Sequence, residues 1–259
     1  MTGALHAEWT KLRTLAGTWW AIVGAIAVTV AASAAVAAAT HVSPGSAGGA
    51  QDPTKLALIG TDLGQAVIAA IAVLAVTDEY GTGMIRVTVA AMPGRGAMLG
   101  AKAVNIAGLT LITAVPAVAG CLMAGRVLLP GAGLDPAHGY ALVSVAQGPT
   151  LRAAVGTVVY LALVALLSLG IGTIFRDTAV STGTALGLLY LPPLLAQLVS
   201  GPWREHIQQI APMTAGLAIQ ATRNIRSLPT SPWAGLGILA AWAAGTLVVG
   251  VAVLKARDA

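Results

Sequence analysis

"VTDEYGTGMIRVTVAAMPGRG" occupies residues 76–96 and interrupts a chain that is otherwise very apolar. Long, nearly uncharged runs lie on both sides of it. Between them it sets two adjacent acids, Asp78 and Glu79, several glycines, and the basic residues Arg86 and Arg95. Gly81 follows the last periodic residue of the run before it, which suits a left-handed helix stop. Asp78, Glu79 and Tyr80 then form the last turn of that helix. Acids at a helix C-terminus oppose the macrodipole, so two of them there imply a partner outside the helix. In "MIRVTVAAMP", Ile85, Thr88, Val89 and Met92 share a helical face, and Pro93 ends the segment. Ile85, Val87, Thr88 and Val89 also permit a strand. Either way, the stretch predicts a short amphipathic element at a membrane surface.

The membrane follows from composition. Of the 259 residues, 57% are hydrophobic and 9% charged, with mean hydropathy +0.84. A soluble domain carries about 25% charged residues. The charges recur at intervals that leave apolar runs such as Ala103–Gly125 and Ala153–Phe175. Each run is about 23 residues, or about 34 Å as a helix, enough to cross a hydrocarbon core of about 30 Å. The predicted fold is all-α and polytopic, a single transmembrane domain over 1–259. Its spans 1 to 6 lie at about 15–39, 56–77, 98–125, 153–175, 178–200 and 233–254. Span 3 contains Pro116 and span 5 contains Pro192 and Pro193, so both are expected to kink or break there.

Six spans put both termini on one side. With the termini inside, Lys11, Arg13, Arg86, Arg95, Lys102, Arg176, Lys255 and Arg257 are cytoplasmic. Lys55, Arg126, Arg152, Arg204, Arg223 and Arg226 are outside, and Arg126 and Arg152 read as snorkelling helix ends. The net charge of +5 is thus accounted for without nucleic acid. The first apolar run exceeds an ordinary leader's core and carries Trp19 and Trp20 as an interfacial anchor, so it reads as a retained span. Before it, Leu5, Trp9, Leu12 and Ala16 form a stripe that is either an interfacial helix or an extension of span 1.

The connection after span 1 and that at "LLPGAGLDPAHGYALVSVAQGPT" are rich in turn formers and read as flexible outer loops. The longest connection, 201–232, is too polar to span and too apolar for a free linker. It reads as one or two short helices on or in the outer leaflet, with Leu217, Ala218, Ala221 and Ile225 on one face.

Chemistry-bearing motifs are sparse. No Walker A sequence, zinc-ligand spacing, nucleotide fingerprint or G-x-S-x-G elbow is present, so no catalytic residue, metal ligand or cofactor is assigned to this chain. Ser168, in "LLSLGIG", has no histidine in any span to activate it. His41 and His138 read as surface histidines and Cys121, mid-span, as a packing residue. Asp62 is the one acid inside a predicted span. It is either a cargo or ion contact or a residue solvated or bonded to Thr61 and Gln65; Gln65 is the second candidate on that path.

Several stretches together resemble the permease subunit of an ABC-2 type exporter of the compact actinobacterial kind. They are "EWTKLRT" at 8–14 followed by Trp19-Trp20, "EYGTGMIRVTVAAMPGRG" from Glu79, "FRDTAVSTG" at 175–183, "PMTAGLAI" at 212–219, and the ending "SPWAG…LAAWAAG…KARDA". The family's E-Y-x-x-G-T pattern is shifted, since Thr82 precedes Gly83. The resemblance implies an N-terminal elbow helix, a cytoplasmic coupling helix between spans 2 and 3, and extracellular helices between spans 5 and 6. It implies a bacterial cell membrane, a homodimer of permeases, and two cytoplasmic ABC ATPases that bind ATP and Mg. Glu79, Tyr80, Gly81, Thr82, Gly83, Ile85 and Arg86 would form the ATPase-coupling site, with Arg176 and Asp177 as a lesser contact. Walls rich in Ala, Gly, Leu and Val suggest a lipophilic or amphipathic cargo such as a drug, a peptide antibiotic or a lipid-like molecule. The alternatives are a stand-alone secondary transporter using Asp62 and a membrane-anchored immunity or sensor subunit.

Overall fold

A computed structural model describes residues 16–40, 51–81 and 95–257. The N-terminal stripe at 5–16, His41 and the amphipathic run at 84–93 fall largely or wholly outside them. Among the described residues the chain is all-helical, without a strand. Six helices are long and apolar enough to cross a membrane. Span 1 is Ala16–Ala39, span 2 Thr61–Gly81, span 3 Arg95–Leu128, span 4 Gly148–Phe175, span 5 Thr178–Leu198 and span 6 Pro232–Arg257. A short helix, Pro53–Ala57, precedes span 2. Two more, Pro202–Ile210 and Pro212–Leu217, lie between spans 5 and 6.

Span 4 is the most enclosed and packs on spans 2, 3, 5 and 6, while span 1 packs chiefly on span 3. In lipid the bulk hydrophobic effect does not drive helices together, so close approach at small residues does. Gly172 illustrates this: a Cβ there would lie 2.6 Å from a Val76 methyl of span 2. Gly170 meets Thr246 of span 6, whose Oγ1 also donates to the Leu167 carbonyl at 3.4 Å. Large apolar side chains such as Val115, Met123, Leu194 and Val248 are left exposed, as lipid-facing surfaces require. Exposed Trp19 and Trp20 mark one end of the bundle, and exposed Trp203 and Trp233 the other, as interfacial anchors do.

Three expectations need correction. Span 2 begins at Thr61, not 56, because the chain breaks at Leu58–Gly60. Gly60 presses on span 1 there: a Cβ would lie 2.0 Å from the Thr29 carbonyl, and Gly60 N donates to Ser33 Oγ at 2.9 Å. Asp62 is therefore in the first turn of its helix. Second, of the kink or break expected at Pro116, Pro192 and Pro193, the break does not occur, since both helices continue through them; the lost backbone bond is outweighed by helices long enough to keep their remaining ladder and packing. Third, the connection at 129–147 is not a loose loop. Leu129, Leu134, Tyr140 and Val143 are buried in a second apolar cluster with Leu58, Val118 and Cys121. Cys121 packs as expected, its thiol 3.6 Å from the Thr29 carbonyl.

Candidate functional site

The end of the bundle that carries the connection between spans 2 and 3 is knotted by side chains. Glu79 sits in the last turn of span 2, where the dipole disfavours it. Its partner is within the chain. Lys102, early in span 3, places Nζ 2.6 Å from Glu79 Oε1, and each side chain is 2% exposed. Glu79 thus turns into the bundle and does not, in this chain alone, offer its carboxylate to a docking protein. One residue on, the Tyr80 ring carries the Arg176 guanidinium 5.1 Å from its centroid. Arg176 can reach it because it caps span 4 in a left-handed conformation at φ 61°, with its N–H donating to Gly172 at 3.0 Å. Asp177 then opens span 5 as its N-cap, accepting from Val180 N at 2.8 Å. Thr178 Oγ1 donates to Thr77 Oγ1 at 2.9 Å, closing spans 5 and 2 together.

Four of the sequence-predicted coupling residues, Glu79, Tyr80, Arg176 and Asp177, are thus gathered at one end. Gly81 is the last described residue of the helix and exposed, without the left-handed conformation expected of it. Thr82, Gly83, Ile85 and Arg86 lie outside the described residues. Lys102 was read only as a flanking charge, since its partner is 23 positions away.

At the opposite end, the segment between spans 5 and 6 enters the bundle. Pro212, Met213, Ala215, Gly216, Ile219 and Gln220 are buried. The helix–3-10–extended path of 212–221 means that Leu217, Ala218, Ala221 and Ile225 do not share one helical face. The segment is fastened at both flanks. Trp242 Nε1 donates to the Ile210 carbonyl at 3.0 Å. Asp52 caps Pro53–Ala57 through the Thr54 and Lys55 N–H groups and also accepts from Thr222 N, Thr222 Oγ1 and Arg223 N. Arg223 stacks over Tyr140, 5.2 Å from its centroid, and Arg152 donates to the Ala221 carbonyl.

Beneath this cover lies a polar layer. Gln220 Nε2 donates to Thr61 Oγ1 at 2.8 Å. Tyr160 donates its hydroxyl hydrogen to Gln65 Oε1, and Gln65 Nε2 lies 3.2 Å from Met213 Sδ. The two path candidates therefore part company. Gln65 is sealed in the core, whereas Asp62 lines a cavity of about 440 Å³ together with Asp52, Lys55, Gln208, Thr214 and Gln220. Tyr190 donates to the Asp62 carbonyl, but Oδ1 of the Asp62 side chain is buried without a hydrogen-bond partner. Tyr160, Tyr190, Gln220 and Asp52 were missed from sequence, because each meets its partner across long chain separations.

His138 is exposed, as expected, and its Nδ1 lies 2.7 Å from Asp135 Oδ1. That bond holds the Asp135 carboxyl below its ordinary pKa. Among the described residues no three His, Cys, Asp or Glu side chains stand together as a metal site would need. No protein-family model matches the chain, and no curated protein matches it.

Proposed function

We propose that the chain is the permease subunit of an ATP-driven exporter, working as a homodimer on two cytoplasmic ABC ATPases that bind ATP and Mg and carry out hydrolysis. The observation that carries this reading is the knot beside the connection between spans 2 and 3. Glu79–Lys102, Tyr80–Arg176 and Thr178–Thr77 join the ends of spans 2, 3, 4 and 5. A push delivered to the short amphipathic run at 84–93 would therefore reach several spans at once rather than bend one. Such a device suits a subunit whose energy arrives from outside the membrane. In this reading the run at 84–93 is the coupling element, with Arg86 as its charged contact. Glu79 and Arg176 act behind it by transmitting its movement. The 16–39 span with its tryptophans, the two short helices between spans 5 and 6, and the motifs quoted above agree with the permease resemblance.

The cargo leaves at the end covered by 201–231, and the apolar walls favour a lipophilic or amphipathic molecule. Asp62, which lines a cavity and has one carboxylate oxygen buried without a hydrogen-bond donor, is the observation that favours the second reading, a stand-alone ion-coupled transporter. The two are separated by purifying the tagged chain from its native membrane. The exporter reading expects an ABC ATPase to co-purify in equal amount with the permease and ATP to drive uptake into inside-out vesicles. Transport that persists without any ATPase and follows an ion gradient favours the second reading instead.

A further inference from the structure

The cavity at the 201–231 end has an unequal distribution of satisfied charge. Two carboxylates line it. Asp52 is fully engaged, accepting from Thr54 N, Lys55 N, Thr222 N, Thr222 Oγ1 and Arg223 N. Asp62 is not: its Oδ1 is buried with no hydrogen-bond donor, while its backbone carbonyl is taken by Tyr190. A carboxylate oxygen withdrawn from water without a donor carries a desolvation cost that a charged N–H donor removes. Lys55 also lines the cavity, yet it is exposed, and no salt bridge of 4 Å or less joins it to Asp62 among the described residues. Water can solvate the lysine; the buried oxygen of Asp62 is the group left needing a donor. The remaining wall supplies apolar surface from Leu56, Ile59 and Leu217. The volume of about 440 Å³ lies in the range of about 300–1,000 Å³ typical of small-molecule sites.

We infer that this cavity binds a drug-sized organic cation, its ammonium pairing with the Asp62 carboxylate at the cavity wall and its apolar body lying against Leu56, Ile59 and Leu217. This deepens the exporter reading by giving the cargo a chemical class, and its physiological meaning rests on that reading. Binding itself does not, because every contact comes from this one chain.

The test uses the full-length chain in lipid nanodiscs with no ATPase present. Two probes are compared: monodansylcadaverine, which joins an aromatic body to a primary ammonium, and its N-acetyl derivative, which has the same body and no charge. Fluorescence is titrated to saturation against empty nanodiscs, so that simple partition into lipid is subtracted. The parent protein is expected to bind the cationic probe saturably and at least about tenfold more tightly than the neutral one. Asp62→Asn is expected to bring the two within about twofold. It keeps the backbone carbonyl that Tyr190 uses, and the probe comparison on the parent chain stands without it. Equal affinities for the two probes, no saturable binding of the cation, or a preference that survives Asp62→Asn would each overturn the assignment. Failure here leaves the ATPase partnership standing, and failure of that partnership leaves a binding site that this titration detects.

Discussion

Lys102 Nζ lies 2.6 Å from Glu79 Oε1, with both side chains 2% exposed, so spans 2 and 3 are joined by an ion pair with almost no water around it. Removing one partner leaves the other charge buried, at a cost of about 3–5 kcal/mol, whereas replacing both by apolar residues is often neutral. Glu79→Ala and Lys102→Ala are each expected to lower the unfolding temperature of the detergent-held protein markedly. Glu79→Leu combined with Lys102→Met should recover most of the loss. If the single variants unfold like the parent, the pair contributes nothing to the fold.

The Tyr80–Arg176 contact makes a different prediction. A cation–π contact contributes about 0.5–1 kcal/mol when exposed and about 2 kcal/mol when desolvated. A double-mutant cycle of Tyr80→Leu and Arg176→Gln should show a coupling in that range by denaturant unfolding. On the proposed exporter reading, each single variant should leave ATPase binding intact while reducing export per ATP hydrolysed. Additive effects on stability, together with unchanged export per ATP, would remove both residues from the transmission path.

Gly60 tests why span 2 starts late. Its Cβ position falls 2.0 Å from the Thr29 carbonyl, which is backbone and cannot swing aside. Gly60→Ala should cost about 1–3 kcal/mol through overpacking. Gly24→Ala, with open space around its Cβ, should not be destabilising. Equal stabilities for the two variants would contradict the contact of Gly60 with span 1.

The six spans were legible in the sequence because charges flank apolar runs at helix-length intervals, a one-dimensional signal. The start of span 2 was not, since Lys55–Gly60 is as apolar as a span edge and its break is imposed by Ser33 and Thr29 of another helix. The break allowed at Pro116 failed for a similar reason: a local rule says nothing about how much helix remains on either side. At the end beside the connection between spans 2 and 3, the acid pair pointed to a partner outside the helix. For Glu79 one such partner is Lys102, 23 residues away, and no local pattern distinguishes a buried lysine from a snorkelling one. Asp62 was legible as an oddity. That it faces a cavity while Gln65 is sealed against Tyr160 depends on the descent of 211–221 into the bundle.

Asp135 carries a pH prediction outside the spans. The hydrogen bond with His138 holds its carboxyl below the ordinary value. A depressed folded pKa means that its contribution to the turn is present above the ordinary carboxylate range and is lost as pH falls through the folded value. Carboxyl-carbon NMR should give Asp135 a midpoint below that of an unperturbed aspartate, and His138→Ala should raise it. A midpoint unchanged by His138→Ala would assign the depression elsewhere.

Sidedness follows from the same account. In a Cys121→Ala background, Ser46→Cys should label from outside the cell and Gly94→Cys only after permeabilisation. The reverse pattern would invert the topology and place the residue 84–93 run where no cytoplasmic ATPase can reach it.

The most direct test of the exporter account is a photo-crosslinking residue placed at Arg86, in the run that the knot flanks. After irradiation in native membranes, the account predicts a crosslink to an ABC ATPase chain, at a yield that changes when ATP is trapped in the complex. Arg86→Ala should also lower export per ATP. If an intact, correctly inserted protein gives no ATPase crosslink at Arg86 or at its neighbours Ile85 and Val89, the connection between spans 2 and 3 is not a docking element, and the chain is not driven by a cytoplasmic ATPase in the way proposed.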